Sequence, residues 1–152
     1  WKTYHRGNYD RAVDSEAIAS VGKDRKVRLG SYGDPAAVPA YVWQALLSKS
    51  AGRTGYSHQS GLANADFVAD IMMVSADNLA MAQSAWAKGQ RTFRVIDSLD
   101  AITDDEVLCP ASEEAGRRTD CENCGLCAGS SIKAKSIAIV AHGNGAKYAT
   151  TN

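Results

Sequence analysis

Apolar residues recur along the chain in two alternating patterns, one typical of helices and one typical of buried strands. Helical spacing occurs over residues 11–21 and again over residues 42–47, where Pro39 suits the first turn of the second helix. The continuous apolar run at residues 71–74 is of the kind that a parallel sheet buries on both faces. Strands that alternate with helices predict an α/β fold, either a parallel sheet or an incomplete (β/α) barrel of about six strands.

The pattern predicts one α/β domain that covers residues 1–152. Its strands are predicted at residues 27–31, 54–58, 70–75, 91–96, 106–109 and 137–141. A helix capped by Asp77 is predicted to end at Gly89, and a helical turn is predicted within residues 97–105. We expect residues 1–10 to be irregular and residues 59–65 to form a loop.

Polar residues follow the predicted strands at the points where the strands end. They are Asp34, His58, Gln59, Ser75, Asp77, Asp97, Cys109 and His142. Because the carboxyl ends of parallel strands share one edge of a sheet, these residues are predicted to line one cleft. The histidines and Gln59 are the candidates there for contact with a substrate, although an isolated histidine is more often an ordinary buried imidazole.

All four cysteines of the chain lie within residues 109–127. Cys121, Cys124 and Cys127 are each separated by two residues, and Cys109 stands upstream. Such spacing lets successive sulfurs face one centre, so the segment is predicted to bind a metal through four thiolates. The CxxCxxC run, with a remote cysteine followed by Pro110, favours a 4Fe-4S cluster, while zinc remains the alternative. Disulfides between such close neighbours would form strained rings.

Charge and composition limit the classes of partner. Lysine plus arginine and aspartate plus glutamate each number 17, so the net charge is zero and nucleic acid could be met only by a local basic patch. Arg25, Lys26, Arg117 and Arg118 are the candidates for that patch. No apolar run has the length of a membrane span, and clustered thiols suit a reducing compartment, so we expect a cytoplasmic protein. Trp1 cannot be a translation start, and we therefore expect further chain before it.

Residues 27–47, VRLGSYGDPAAVPAYVWQALL, resemble a strand and helix of radical S-adenosylmethionine (radical SAM) enzymes. In those enzymes a Gly-Gly-Glu-Pro-like turn binds the amino group of the cofactor, and Gly33, Asp34 and Pro35 would occupy its place. The segment DIMMVSADN resembles a strand that ends in a Ser-x-Asp motif, here Ser75 and Asp77. The resemblance implies a radical-SAM-like partial barrel and S-adenosylmethionine as a cofactor.

The segments GDPAAVP, TGYSHQ, GQRTFRV, CPASEEAG, CENCGLCAG and IAIVAHG together resemble a family of phage- and plasmid-borne proteins with a C-terminal CxxCxxC motif. Longer members of that family carry a further cysteine-rich segment upstream. Radical SAM chemistry needs a CxxxCxxC-type site near the first strand, and no cysteine precedes Cys109 here. Either chain before Trp1 carries that site, or the cysteines of residues 109–127 form the only metal site and the fold has another purpose. If the pattern of the longer family members applies, the site at residues 109–127 holds an auxiliary or structural cluster.

Two functional hypotheses follow. The first is a metal-cluster-binding protein of mobile-element origin that acts as a radical-SAM-like enzyme or as part of one, with a reaction and substrate that the sequence does not specify. The second is a non-catalytic module, stapled by zinc, that binds nucleic acid or a protein partner. A zinc hydrolase is disfavoured because a complete set of four cysteine ligands leaves no open position on the metal.

Overall fold

The computed structural model describes residues 2–8, 11–59, 65–143 and 146. The helices are α1 (Lys2–His5), α2 (Ser15–Gly22), α3 (Ala40–Leu47), α4 (Ala65–Ile71), α5 (Leu79–Trp86) and α6 (Cys121–Cys124), with 3-10 turns at Pro35–Ala37 and Leu99–Ala101. The strands are β1 (Lys26–Leu29), β2 (Gly52–Ser57), β3 (Met73–Ala76), β4 (Thr92–Ile96), β5 (Glu106–Leu108) and β6 (Ser136–Val140). Within these residues, no helix combines the length and the apolar character needed to cross a bilayer.

The six strands form one open sheet in the order β1-β2-β3-β4-β6-β5. Every pairing between neighbouring strands is parallel. The predicted α/β class and the parallel sheet of about six strands are thus confirmed. The sheet does not close on itself, because β1 and β5 lie at its two edges and do not pair with each other.

The helices that connect the first four strands pack on one face of the sheet. Their shared core contains Leu29 of β1, Ala36 of the first 3-10 turn, and Val68 and Met72 at α4 and its end. Helices α2 and α3 approach so closely that a Cβ on Gly22 would lie 2.0 Å from the Leu46 carbonyl oxygen. Burial of this apolar cluster is the main term that holds α3 and α4 against the sheet, while α2 packs on α3.

The connection from β5 to β6 crosses the opposite face, which carries none of the helices α3 to α5 and is called the helix-free face in that sense; the short α6 belongs to the connection itself. A Cβ on Gly55 would meet Leu29 and Met72, so Gly55 faces the helices. Its neighbours Thr54 and Tyr56 must point the other way, because side chains alternate along a strand. Both of these side chains line a cavity with the cysteines, so residues 109–135 cover the helix-free face. The handedness of parallel crossovers explains this placement. The earlier connections move from β1 towards β4, whereas the connection from β5 to β6 moves in the reverse direction, so a right-handed crossover must lie on the other face.

Four local predictions need correction. Residues 70 and 71 belong to α4, and the third strand begins only at Met73, because the crossover from β2 to β3 requires its own helix. Residues 60–64 of the predicted loop lie outside the described residues, while Ala65 already belongs to α4. The cap of α5 is Asn78, whose side chain accepts a hydrogen bond from the Met81 amide, rather than Asp77. Residues 2–5 form α1 instead of an irregular arm.

A buried ion pair ties β4 to β5 across the intervening β6. Arg94 donates from Nε and Nη2 to the two Glu106 carboxylate oxygens at 2.8 and 2.6 Å. Thr103 adds hydrogen bonds to Glu106 from its amide and its hydroxyl. Burial raises the pKa of Glu106, but the hydrogen bonds from Arg94 and Thr103 outweigh burial and lower it overall. The edge strand β5, which leads directly into the cysteine segment, therefore depends on this pair.

Replacing Glu106 with Gln should destabilise the protein by about 3 to 5 kcal/mol, because it leaves the Arg94 cation buried without its partner. The measurement is urea unfolding at neutral pH. The lowered pKa means that Glu106 stabilises the fold above its unfolded pKa, and that this contribution disappears as the pH falls through the folded pKa. Wild-type stability should therefore drop steeply below about pH 4.5, the ordinary value for a glutamate, and the E106Q variant should show a weaker dependence there.

Glu113→Gln is the matched control. Glu113 and Arg117 form an exposed pair with 3.7 Å between Oε2 and Nη2, and exposed pairs contribute less than about 1 kcal/mol. Equal losses of stability in E106Q and E113Q would contradict the role assigned to the buried pair.

Candidate functional site

All four cysteines line one small cavity against the helix-free face of the sheet. Cys109 follows β5, while Cys121, Cys124 and Cys127 come from α6 and the turn after it. The sheet supplies Thr54, Tyr56 and Ile137, and the loop supplies Pro110, Ala111, Gly125 and Leu126. The cavity has a volume of about 20 Å³, which is room for one water-sized particle. The predicted convergence of the four thiols on one place is therefore present.

Local hydrogen bonds shape the CxxCxxC run. The Asp120 side chain caps α6 by accepting a hydrogen bond from the Asn123 amide at 2.8 Å. One helical turn places Cys121 and Cys124, three residues apart, on the same side. Gly125 then ends the helix with a φ of 64°, a left-handed conformation that glycine adopts without strain. This reversal returns the chain so that Cys127 joins the other thiols.

The surroundings of the sulfurs act on the thiolate form in opposing ways. The pKa of Cys127 is raised to about 11, mainly by burial; the Tyr56 side chain acts to lower it, and negative charge on the other three cysteines acts to raise it. Burial also raises the pKa of Cys109, an effect that the backbone amides of Ala111 and Ser112 oppose. Both shifts favour the neutral thiol over the thiolate in the metal-free protein.

Arg91 holds the segment that follows the cysteines. The residue is 6% exposed, and its Nη1 donates to the carbonyl oxygens of Leu126 and Gly129 at 2.8 and 3.0 Å. Its Nε and Nη2 donate to the carbonyl oxygen of Lys135. No carboxylate among the described residues pairs with this guanidinium. Burial lowers its pKa, and negative charge on Cys127 acts against that effect.

Further contacts fix the same segment at the amino edge of the sheet. The amides of Ser130 and Ser131 donate to the carbonyl oxygens of Ala69 and Asp70, at the end of α4. Gly129 has a φ of 88° and fits so tightly that a Cβ would lie 2.5 Å from the Asp70 carbonyl oxygen. Arg53 links α4 to this segment. It donates one hydrogen bond to the carbonyl oxygen of Ile71, the last residue of α4, and another to the Ser131 hydroxyl. Residues 126–135 are thus bound along most of their length.

The four cysteines line one cavity, but their side chains are not arranged around a single ion. In the described part of the chain, no group of three or more His, Cys, Asp and Glu side chains is arranged to hold one metal ion as it lies. A tetrahedral zinc site needs sulfurs about 3.8 Å apart, as follows from a Zn–S distance of about 2.3 Å. The structure therefore shows a common cavity for four free cysteines, and a metal-binding segment stays a prediction.

An open groove of about 590 Å³ runs beside the cysteines on the same face of the sheet. Cys109 and Cys121 form part of its wall. Its floor includes Tyr56 and Phe93, whose ring centres are 4.5 Å apart. The Arg28 guanidinium lies 5.4 Å from the centre of the Tyr56 ring. The groove thus joins an aromatic floor and a cation to the cysteine cavity.

The predicted strand-end residues divide between the groove and other places. His58, Ser75 and Asp77 line the groove, with 3.7 Å between His58 Nε2 and Asp77 Oδ1. Gln59 lies instead beside Ser57 and Asp66 in a separate small cavity. His142 is exposed and is not among the groove residues. The single cleft expected from the sequence therefore holds His58, Ser75, Asp77 and Cys109 together.

Asp34 is occupied by contacts within the protein. Its Oδ1 accepts hydrogen bonds from the Ala36 amide and the Ser57 hydroxyl, and its Oδ2 accepts one from the His58 amide. The neighbouring Pro35 is buried, and its carbonyl oxygen accepts a hydrogen bond from Trp43 Nε1. Gly33 is exposed with a φ of 87°. The Gly33–Pro35 turn joins the ends of β1 and β2, and Asp34 keeps about one of its four acceptor positions open.

The candidate basic patch is two separate pairs of residues. Arg25 and Lys26 are exposed at the start of β1, while Arg117 and Arg118 are exposed within the cysteine segment. Arg117 pairs with Glu113, which offsets part of its charge. Lys26 lines a pocket with Arg28 and Arg53, whose lining does not include Arg117 or Arg118. Contact of these four residues with nucleic acid stays a prediction.

No family model, curated protein or solved structure matches this chain.

Several residues of the site were missed by the sequence analysis. They are Arg28, Arg53, Tyr56, Arg91 and Phe93. The alternation within GYS and TFRV could have indicated that Tyr56 and Phe93 project from one face of the sheet. Nothing in the local sequence indicates that Arg91 binds three carbonyl oxygens of a segment about 40 residues away, since that contact depends on the strand order.

Alkylation of metal-free, reduced protein should modify the four cysteines at different rates. Cys121 is exposed and should react first with iodoacetamide. Cys127 should react last, because burial raises its pKa to about 11 and keeps the thiolate fraction small near neutral pH. Mass spectrometry of peptides after timed quenching measures the order. Equal rates at Cys121 and Cys127 would contradict the burial described, and the rates in urea provide the control.

Replacing Arg91 with Lys should loosen residues 126–135. Lysine keeps the charge but cannot reproduce the planar set of donors that reaches three carbonyl oxygens at once. Amide hydrogen exchange at Ser130 and Ser131 should speed up at least tenfold, while exchange in α2 stays unchanged. Arg25→Lys, an exposed change of the same kind, is the control. Unchanged exchange in R91K would show that the backbone contacts of Gly129 to Ser131 suffice.

Proposed function

We propose that the protein binds a metal cluster, and that Cys109, Cys121, Cys124 and Cys127 hold a 4Fe-4S cluster against the helix-free face of the sheet. The observation that carries the proposal is the convergence of four free thiols on one cavity. Three of them come from one tight turn and the fourth from the end of a distant strand, as the CxxCxxC spacing with a remote cysteine and Pro110 favours.

The donors around the cavity fit a thiolate-bound metal. The Tyr56 side chain and the backbone amides of Ala111 and Ser112 act to lower the pKa values of Cys127 and Cys109, against the effect of burial. Polar groups around metal ligands orient the ligands and tune the metal. A bound cluster would supply electron transfer or a site for substrate coordination.

Zinc is the second candidate, and the size of the cavity favours it. About 20 Å³ accommodates one ion, whereas a cluster of eight atoms requires the thiols to move outwards. In this reading, zinc staples residues 109–135 to the sheet, and the protein acts as a binding module for nucleic acid or a protein partner. The exposed residues Arg25, Lys26, Arg117 and Arg118 would supply the local basic contacts to nucleic acid.

A role in radical SAM chemistry rests on the sequence resemblance. Within it, the cluster of this chain is an auxiliary one, and Gly33, Asp34, Pro35, Ser75 and Asp77 would contact S-adenosylmethionine. Ser75 and Asp77 line the groove next to Cys109, which supports that reading, whereas three internal hydrogen bonds engage Asp34. The phage or plasmid origin rests on the resemblance as well. Free thiols require a reducing compartment, so the proposal places the protein in the cytoplasm.

Protein purified without oxygen should be brown, with broad thiolate-to-iron absorption and about four irons per chain, if the cluster is present. Cys124→Ser should lose the metal, because serine oxygen is a poor ligand for iron in such clusters. Metal analysis and the visible spectrum measure both results. Colourless protein with one zinc per chain would contradict the cluster proposal and support the zinc-stapled binding module.

Glu122→Gln is the matched control, since Glu122 lies in the same short helix between two ligands and its side chain is exposed. It should retain the metal in full. Retention of metal by C124S would show that the ligand set is wrong, and loss of metal in E122Q would show that the segment responds to any change of sequence.

A further inference from the structure

The groove beside the cysteines has a size and a lining that the metal site does not explain. Its volume of about 590 Å³ falls in the range of small-molecule sites, about 300 to 1,000 Å³. Tyr56, Phe93 and Ile139 provide an apolar floor that includes two aromatic rings. A flat organic molecule could cover these rings and exclude water from them.

One cation in the groove has no anionic partner. Arg28 is exposed, and the described residues give it a cation–π contact with Tyr56 but no hydrogen bond or ion pair. The contact holds the guanidinium near the ring and leaves its N–H donors without a hydrogen-bond partner among the described residues. A guanidinium with free donors is the group that binds a phosphate or a carboxylate through paired hydrogen bonds.

The groove also contains a carboxylate, that of Asp77, which follows the end of β3. Asp77 and His58 stand 3.7 Å apart, which is longer than a hydrogen bond, and their side chains are 59% and 61% exposed. The Asp77 carboxylate would repel an anion and accept hydrogen bonds from hydroxyl groups. Because β2 separates Arg28 on β1 from Asp77 after β3, a ligand that meets both must be polar in two places.

We propose that the groove binds an aromatic anion of nucleotide size that carries hydroxyl groups. Its flat body covers Tyr56 and Phe93, its phosphate or carboxylate pairs with Arg28, and its hydroxyl groups face Asp77. This inference deepens the proposed function, because Cys109 and Cys121 belong to the groove wall and the ligand therefore lies next to the metal.

Calorimetric titration of the protein as purified without oxygen, whatever its metal content, tests the proposal with defined probes. Uridine 5′-monophosphate combines the three features, and 4-hydroxybenzoate presents a carboxylate on an aromatic ring with one hydroxyl group. Uridine lacks the anion, and inorganic phosphate lacks the flat body. At least one of the first two probes should bind at least tenfold more tightly than uridine and phosphate, and which one binds identifies the anion.

Arg28→Gln should weaken that binding about tenfold, since it removes hydrogen bonds from a charged donor. Arg25→Gln is the matched control, because Arg25 is exposed three residues away and does not line the groove. Failure of both probes to bind at millimolar concentration, or equal binding by R28Q and the wild type, would overturn the proposal.

Metal content measured on the same samples separates the two proposals. If protein purified without oxygen contains no metal but binds a probe in an Arg28-dependent way, the ligand proposal is supported and the metal-cluster proposal is contradicted. A full complement of metal without binding of either probe would contradict only the groove.

Discussion

The step back in strand order is the constraint on which the site depends. From β1 to β5 the chain advances across the sheet, and then it returns to place β6 between β4 and β5. A right-handed crossover in the reverse direction must pass over the other face. Residues 109–135 are the only chain available for that passage, so the cysteines are carried onto the face that the helices leave uncovered. Any site built from this segment is therefore framed by β2, β4 and β6 rather than by the helices.

Two arginines secure the ends of this arrangement. Arg94 fixes β5, from which the segment departs, through the Glu106 carboxylate. Arg91 fixes the return towards β6 through three carbonyl oxygens. They differ in one respect that matters for function. Arg94 has a full counter-charge within the protein, whereas no carboxylate of the described residues pairs with the buried Arg91.

The strand and helix pattern was largely readable from the sequence because it depends on local periodicity. Short apolar runs located all six strands within a few residues, and the cysteine spacing indicated that the thiols meet. The third strand began too early, since Ile71 and Met72 are as apolar as the strand that follows although the crossover requires helix there. The strand order, and with it the contacts of Arg91 and the floor formed by Tyr56 and Phe93, could not be predicted, because these depend on pairings between residues far apart in sequence.

The charge on Arg91 also bears on the metal. Four thiolates on one zinc carry a net charge of −2, and a 4Fe-4S cluster with four thiolates carries the same charge in its usual oxidised state. For either proposed metal, the buried guanidinium, which binds the carbonyl oxygen of Leu126 next to Cys127 in the chain, would offset part of that charge and lower the cost of burying it. A proposed cluster would become more negative on reduction, and a nearby cation would then favour its reduced form. The guanidinium that binds the backbone of residues 126–135 would thus also raise the potential of the proposed cluster.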